Sequence, residues 1–154
     1  MKKNINKLQL EQLDRKIKAF NRLNNVGQPV EGWIRSIRVA LGMSLEQLSK
    51  ILGVKPQSLI KVEQREKEGV VNIKTLKQIS EVLGLKFVYG FSAPKSSLEK
   101  IVKKRAHDVA KGIVLRSDKN MRLEGQGNSR LRIKKAIKER ADKIIANQEK
   151  ILWD

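Results

Sequence analysis

The stretch SLEQLSKILGVKPQSLIKVE, Ser44 to Glu63, leaves its chain few conformational choices. Ser44 is a favoured helix N-cap, because its hydroxyl accepts a backbone N–H that the first turn leaves unpaired. Gln47, three residues on, completes a capping box. Leu48 and Leu52 then lie one turn apart on a single face. Gly53 closes the helix with a turn that wants a positive φ. Pro56 opens the next helix at its first position, where a missing N–H costs nothing. Ser49 is the small residue where the two helices face each other, and Leu48, Leu52, Val54, Leu59 and Val62 are expected to glue the pair to its neighbours. Seven positions agree in register, which predicts two helices crossing steeply about a tight turn.

The flanks extend the helical pattern. A preceding helix runs from about Gly32 to Leu41 with Trp33, Ile34, Ile37 and Leu41 inward, and Gly42 stops it. The second helix of the pair is expected to fray in the polar run Gln64 to Gly69, leaving Glu66 and Glu68 in a solvated loop. Asn72 caps a fourth helix, with Leu76, Ile79 and Leu83 on one face and Gly84 at its end. The period then shortens: Phe87, Tyr89 and Phe91 alternate, so a short strand is expected at about 86–91, stopped by Pro94. No second strand is in sight, and that implies pairing across a homodimer. At the N-terminus, Leu10, Leu13, Ile17 and Phe20 form one stripe on a helix from about Asn6 to Asn24, broken by Asn25, Gly27 and Pro29. On the C-terminal side, Ser96 and Glu99 pattern as a capping box for a helix from about Ser97 to Leu115. A polar stretch from Ser117 to Asn128 separates it from a last helix near Ser129 to Leu152. The fold class is therefore mostly α. The expected organisation is an N-terminal helical extension over 1–31, a helix-turn-helix domain over 32–92 and a basic helical extension over 93–154.

Composition narrows the partners. With 34 Lys and Arg against 16 Asp and Glu, the formal charge is +18, and each of the three segments is basic on its own. Such a field gathers polyanions, nucleic acid first among them. Aromatics at 4% force an aliphatic core, which suits helices. No cysteine is present, so disulfides, thiol catalysis and Cys-based zinc sites are excluded. The opening MKKNINKLQLEQ has cations but no apolar run behind them, so it does not pattern as a secretory signal. No apolar stretch is long enough to span a bilayer, and a cytoplasmic protein with no membrane association is expected. His107 is the single histidine and has no second ligand near it in sequence. No phosphate-loop pattern occurs, and acid–base catalysis needs a positioned pair in a pocket. The expectation is a protein that is not an enzyme and needs no metal or cofactor.

The block Trp33 to Phe87 resembles the XRE-type helix-turn-helix family, the five-helix fold of phage repressors and Cro proteins. A longer resemblance is to mobile mystery protein A. It is carried by QLDRKI (Gln12 to Ile17), GWIRSIRVALGM (Gly32 to Met43), KTLKQISEVLG (Lys74 to Gly84), KFVYGF (Lys86 to Phe91) and the basic helix after Ser97. That family is encoded beside a Fic-domain protein on mobile elements. The resemblance implies a five-helix lambda-repressor-like domain whose helix from Pro56 enters the major groove of double-stranded DNA. Gln57, Ser58 and Lys61 would then contact bases, since Gln pairs with adenine N6/N7 and Lys reaches guanine O6/N7. Ser44, Lys55 and Lys74 would contact phosphates. Arg38 and Glu63 match a structural ion pair that orients the recognition helix in relatives.

Some positions depart from the pattern. Lys55 stands where many relatives have Ser or Thr, Leu45 where a polar residue often touches phosphate, and Ile60 where an exposed polar residue is common. Pro56 occupies a position that reads bases in some relatives. Function follows as a sequence-specific DNA-binding regulator, a dimeric repressor of its own operon. The alternative is an antitoxin-like protein that binds the adjacent Fic-domain protein. Dedicated Fic inhibitors carry Ser/Thr-x-x-x-Glu-Gly/Asn. Here Glu31, Glu68 and Glu124, each followed by Gly, are preceded by Gly27, Gln64 and Asn120, so that motif is missing.

Overall fold

The computed structural model describes residues 7–154; the opening hexapeptide, where the first helix was expected to begin at Asn6, lies outside them. Seven α-helices follow in order, α1 Lys7–Phe20, α2 Trp33–Ala40, α3 Leu45–Leu52, α4 Pro56–Lys67, α5 Ile73–Val82, α6 Leu98–Leu123 and α7 Arg130–Ala146, with no strand among the described residues. The chain divides into two units: Asn24–Gly90, and the described residues up to Leu23 together with Phe91–Asp154.

In the first unit, Ile34, Leu48, Leu59 and Ile79, one from each of α2 to α5, make the buried centre, and Met43, Leu45, Leu52, Val62, Leu76 and Leu83 pack around it. Leu45 is thus apolar for a reason: it packs on this core. Burying four such side chains removes enough apolar surface to stabilise the unit by several kcal/mol, at about 25 cal/mol per Å². Trp33 does not join them. It is 46% exposed, because Ile34 takes the inward position and its neighbour is rotated about 100° away on the helix. Leu41 is 59% exposed, since α2 ends at Ala40 and the side chain projects beyond the last turn. Val54 is likewise exposed.

Four helices fill this unit, and the chain beyond α5 has no regular secondary structure where a five-helix scheme has its last helix. The strand expected at about 86–91 does not form. A strand's backbone groups need a partner ladder, and no strand among the described residues supplies one. The run keeps its period of two all the same: Phe87 and Tyr89 stack with centroids 6.0 Å apart, and Lys77 Nζ sits 5.7 Å over the Tyr89 ring. With the strand goes the ground it gave for dimer pairing.

In the second unit α6 and α7 form an antiparallel hairpin. Val102, Ala106 and Ala110 of α6 close on Ile137, Ala141 and Ile144 of α7, with Leu152 at one end. Small residues on α6 let the two backbones approach. The N-cap of α6 is Ser97, one residue beyond the expected Ser96, and its hydroxyl accepts from Lys100 N. The helix also runs on to Leu123, because Ser117 to Asn120 are polar yet contain no breaker; Gly125, at φ 77°, ends it. Helix α1 is joined to the rest of this unit by polar contacts. Asp14 accepts from Leu98 N at 2.6 Å and so caps α6, while Asn21 accepts from Ala93 N at 2.8 Å.

Candidate nucleic-acid interface

The geometry of the α3–α4 pair follows from local chemistry. Ser44 Oγ accepts from Gln47 N at 3.2 Å, and Ser44 N donates to Gln47 Oε1 at 2.7 Å, so both halves of the capping box are made. Gly53 takes φ 68° and ψ 28°, the left-handed conformation that ends α3. Val54 N returns to Ser49 O at 3.0 Å. The buried Ser49 leaves room for the crossing, and its hydroxyl donates to Glu46 O within α3. Lys55, in extended backbone, then leads into Pro56 at the first turn of α4.

Helix α4 is sharply two-sided. Leu59, Glu63 and Glu66 are buried and Val62 is half-buried, a set at spacings of three and four. Gln57, Ser58, Lys61, Gln64, Arg65 and Glu68 are exposed on the opposite stripe. Ile60 borders that stripe at 49% exposed.

Two carboxylates hold the buried side in place. Glu63 accepts from Arg38 Nε at 2.7 Å and Nη2 at 3.0 Å, a bidentate pair, and Arg38 Nη1 donates to Met43 O at 3.1 Å. These hydrogen bonds to Glu63 hold the Arg38 guanidinium above its ordinary pKa, against the opposing effect of burial. Glu66 accepts from Trp33 N at 2.8 Å and Ile34 N at 2.9 Å. It supplies the cap that Gly32, without a side chain, cannot give α2. A Cβ at Gly32 would lie 2.9 Å from Glu66 Oε2, and the residue sits at φ 80°, so glycine is required twice over. Glu66 is therefore a buried capping group and not part of a solvated loop, since α4 continues to Lys67 before it ends. Its register with Leu59 and Val62 was the signal that would have found it.

Ser44, Lys55 and Lys74 are exposed, at or next to the starts of α3, α4 and α5. Lys74 N donates to the capping Asn72 Oδ1 at 2.8 Å, which leaves its ammonium free of that cap. Gln57, Ser58 and Lys61 share the outward stripe of α4. His107 is exposed beside Asp108, and no group of three or more potential metal ligands exists among the described residues. No described helix is long and apolar enough to cross a membrane.

Residues 34–89 match the family model described as helix-turn-helix, which spans α2 to α5 and the aromatic run after them. No curated protein and no solved structure matches the chain.

Proposed function

Residues 34–89 being an XRE-type helix-turn-helix DNA-binding domain, we propose that the chain is a sequence-specific transcription regulator that reads duplex DNA with α4. The observation that carries this reading is the outward stripe of α4. Its polar residues, Gln57, Ser58 and Lys61 among them, are exposed, while the opposite side is fastened to α2 by Glu63 and Glu66. A rigid, exposed helix of this kind fits the major groove. Gln57, Ser58 and Lys61 read base edges, and Ile60 lies where a thymine methyl would be met. Ser44, Lys55 and Lys74 grip phosphates, aided by the backbone N–H groups at the three helix starts.

On this reading the protein acts as a homodimer on an inverted repeat and represses its own operon, which the family resemblance sets on a mobile element beside a Fic-domain gene. The two recognition helices would stand about 34 Å apart. A groove between α3, α4 and α5, lined by Ile51, Val54 and Val82, offers a second copy apolar surface. Selection of bound fragments from random duplex DNA tests the proposal, and a palindromic consensus also found upstream of the chain's own gene is the expected result. Replacing Gln57 and Lys61 by Ala should erase the preference among sequences, each lost contact being worth about 1–3 kcal/mol of discrimination. Recovery of random fragments only would defeat it.

A further inference from the structure

The α6–α7 hairpin spends many of its charges on itself. Arg105 donates to the Leu152 and Asp154 carbonyls, Arg140 pairs with Glu149, and Arg122 pairs with Asp118. Lys104, Lys111, Lys134 and Lys138 are exposed and have no ion-pair partner among the described residues. Their directions can be read from the helices. Counting about 100° per residue from the buried Ala106, Lys104 and Lys111 lie about 140–160° round α6. Counting likewise from Ile137, Lys134 and Lys138 lie about 60–100° round α7 in the same rotational sense. The helices are antiparallel, since Arg105 meets Leu152 at one end and Asp118 meets Asn128 at the other. In an antiparallel pair the same sense turns towards the same face. One side of the hairpin thus carries these four cations, with Asp142 as the only α7 acid turned that way, while Lys119, Arg132 and Lys143 lie on the other side.

Folding gives no reason for this row. Lys134 and Lys138 stand at i and i+4, where like charges destabilise a helix. The apolar stripes of both helices close on each other in their seam, and Leu131 is a single exposed apolar side chain on the cation side, so no continuous apolar face accompanies the cations, as a membrane-surface helix would need. A polyanion would relieve the repulsion, and the chain already carries a domain that brings duplex DNA to it at high effective concentration. We infer that this face of the hairpin is a second DNA contact, which grips phosphates and reads no bases. The inference rests on duplex DNA being the chain's partner, as proposed above.

The test uses the full chain and two triple variants that remove equal charge. One replaces the row (Lys111→Gln, Lys134→Gln, Lys138→Gln). The other replaces cations on the opposite side (Lys119→Gln, Arg132→Gln, Lys143→Gln). All six positions are exposed, and circular dichroism checks that helix content is kept. Binding to the selected sequence and to a scrambled duplex is followed against salt. The row variant should weaken both duplexes about equally, by tenfold or more at low salt. It should also flatten the log K against log salt slope by roughly 2.7, from about 0.9 per lost phosphate contact. The opposite-side variant should leave the slope near that of the parent. Equal losses in both variants, no loss in either, or a loss seen only on anionic phosphatidylserine vesicles would overturn the inference. The ratio between the two duplexes, erased by the Gln57 and Lys61 changes and kept by the row variant, tests the base-reading proposal separately.

Discussion

Glu63 and Glu66 stand three residues apart on α4, and each spends both carboxylate oxygens on α2, Glu63 on the Arg38 guanidinium and Glu66 on the backbone N–H groups of Trp33 and Ile34. Their roles differ in kind. Glu63 neutralises a buried charge, so Glu63→Ala leaves the Arg38 guanidinium buried and unpaired and should destabilise the unit by about 3–5 kcal/mol. Replacing both partners by apolar residues of similar length, Arg38→Met with Glu63→Met, should cost less than the single change, because no orphan charge remains. Urea unfolding of the three variants reads the comparison; a double variant worse than Glu63→Ala would contradict it. Glu66 caps backbone donors, so Glu66→Ala strands two N–H groups at the start of α2 and should cost about 1–3 kcal/mol. Both changes also loosen the seating of α4, so DNA affinity should fall although neither side chain lies on its outward stripe.

At the scale of elements, two glycines give opposite expectations from the same substitution. Gly53 holds φ 68° at the turn between α3 and α4, and an Ala there must adopt the left-handed region at a cost of about 1–2 kcal/mol. Gly112 lies inside α6 with nothing within 4 Å of an added Cβ, so Gly112→Ala should stabilise by about 0.5–1 kcal/mol. Thermal melts of the two variants should move in opposite directions. The contrast also shows what was legible in the sequence. Caps and turns are local, so Ser44 with Gln47, Gly53, Pro56 and Asn72 could be placed from spacing alone, and the helices they bound followed. Contacts between elements are not local. Nothing within α4 states that Glu66 meets the start of α2 thirty-two residues away, or that Asp14 caps α6 from far up the chain. The aromatic run alternates as a strand would, yet alternation alone does not pair a backbone. A strand needs a partner ladder as well. The outward stripe of α4 could be named residue by residue, since it is the complement of the apolar register.

For the molecule as a whole, the excess of cations makes acid a double challenge, and the two effects can be told apart. Protonating carboxylates raises a net charge that is already +18, and the self-repulsion this causes is screened by salt. Particular carboxylates of the hairpin unit add a second effect. Asp118 is held below its ordinary pKa, first by the Asn128 backbone N–H and then by the Asn128 side chain and Arg122. Glu149 is lowered chiefly by its hydrogen bonds from Arg140, and Glu99 by Lys103. A carboxylate whose pKa is lowered on folding contributes stability that is complete above its unfolded value, near 4, and is lost as pH falls through the folded value. The hairpin should therefore hold a plateau from neutral pH to about 5 and weaken below 4. Hydrogen exchange of α6 and α7 amides, measured across this range at low and high salt, follows it. Added salt should recover the repulsive part of the loss. It should recover little of the part due to Asp118, which is buried and bonded to a backbone N–H across the turn. Asp118→Asn should thus lower protection at neutral pH and flatten its fall in acid. An unchanged pH profile in that variant would assign the acid sensitivity to net charge alone.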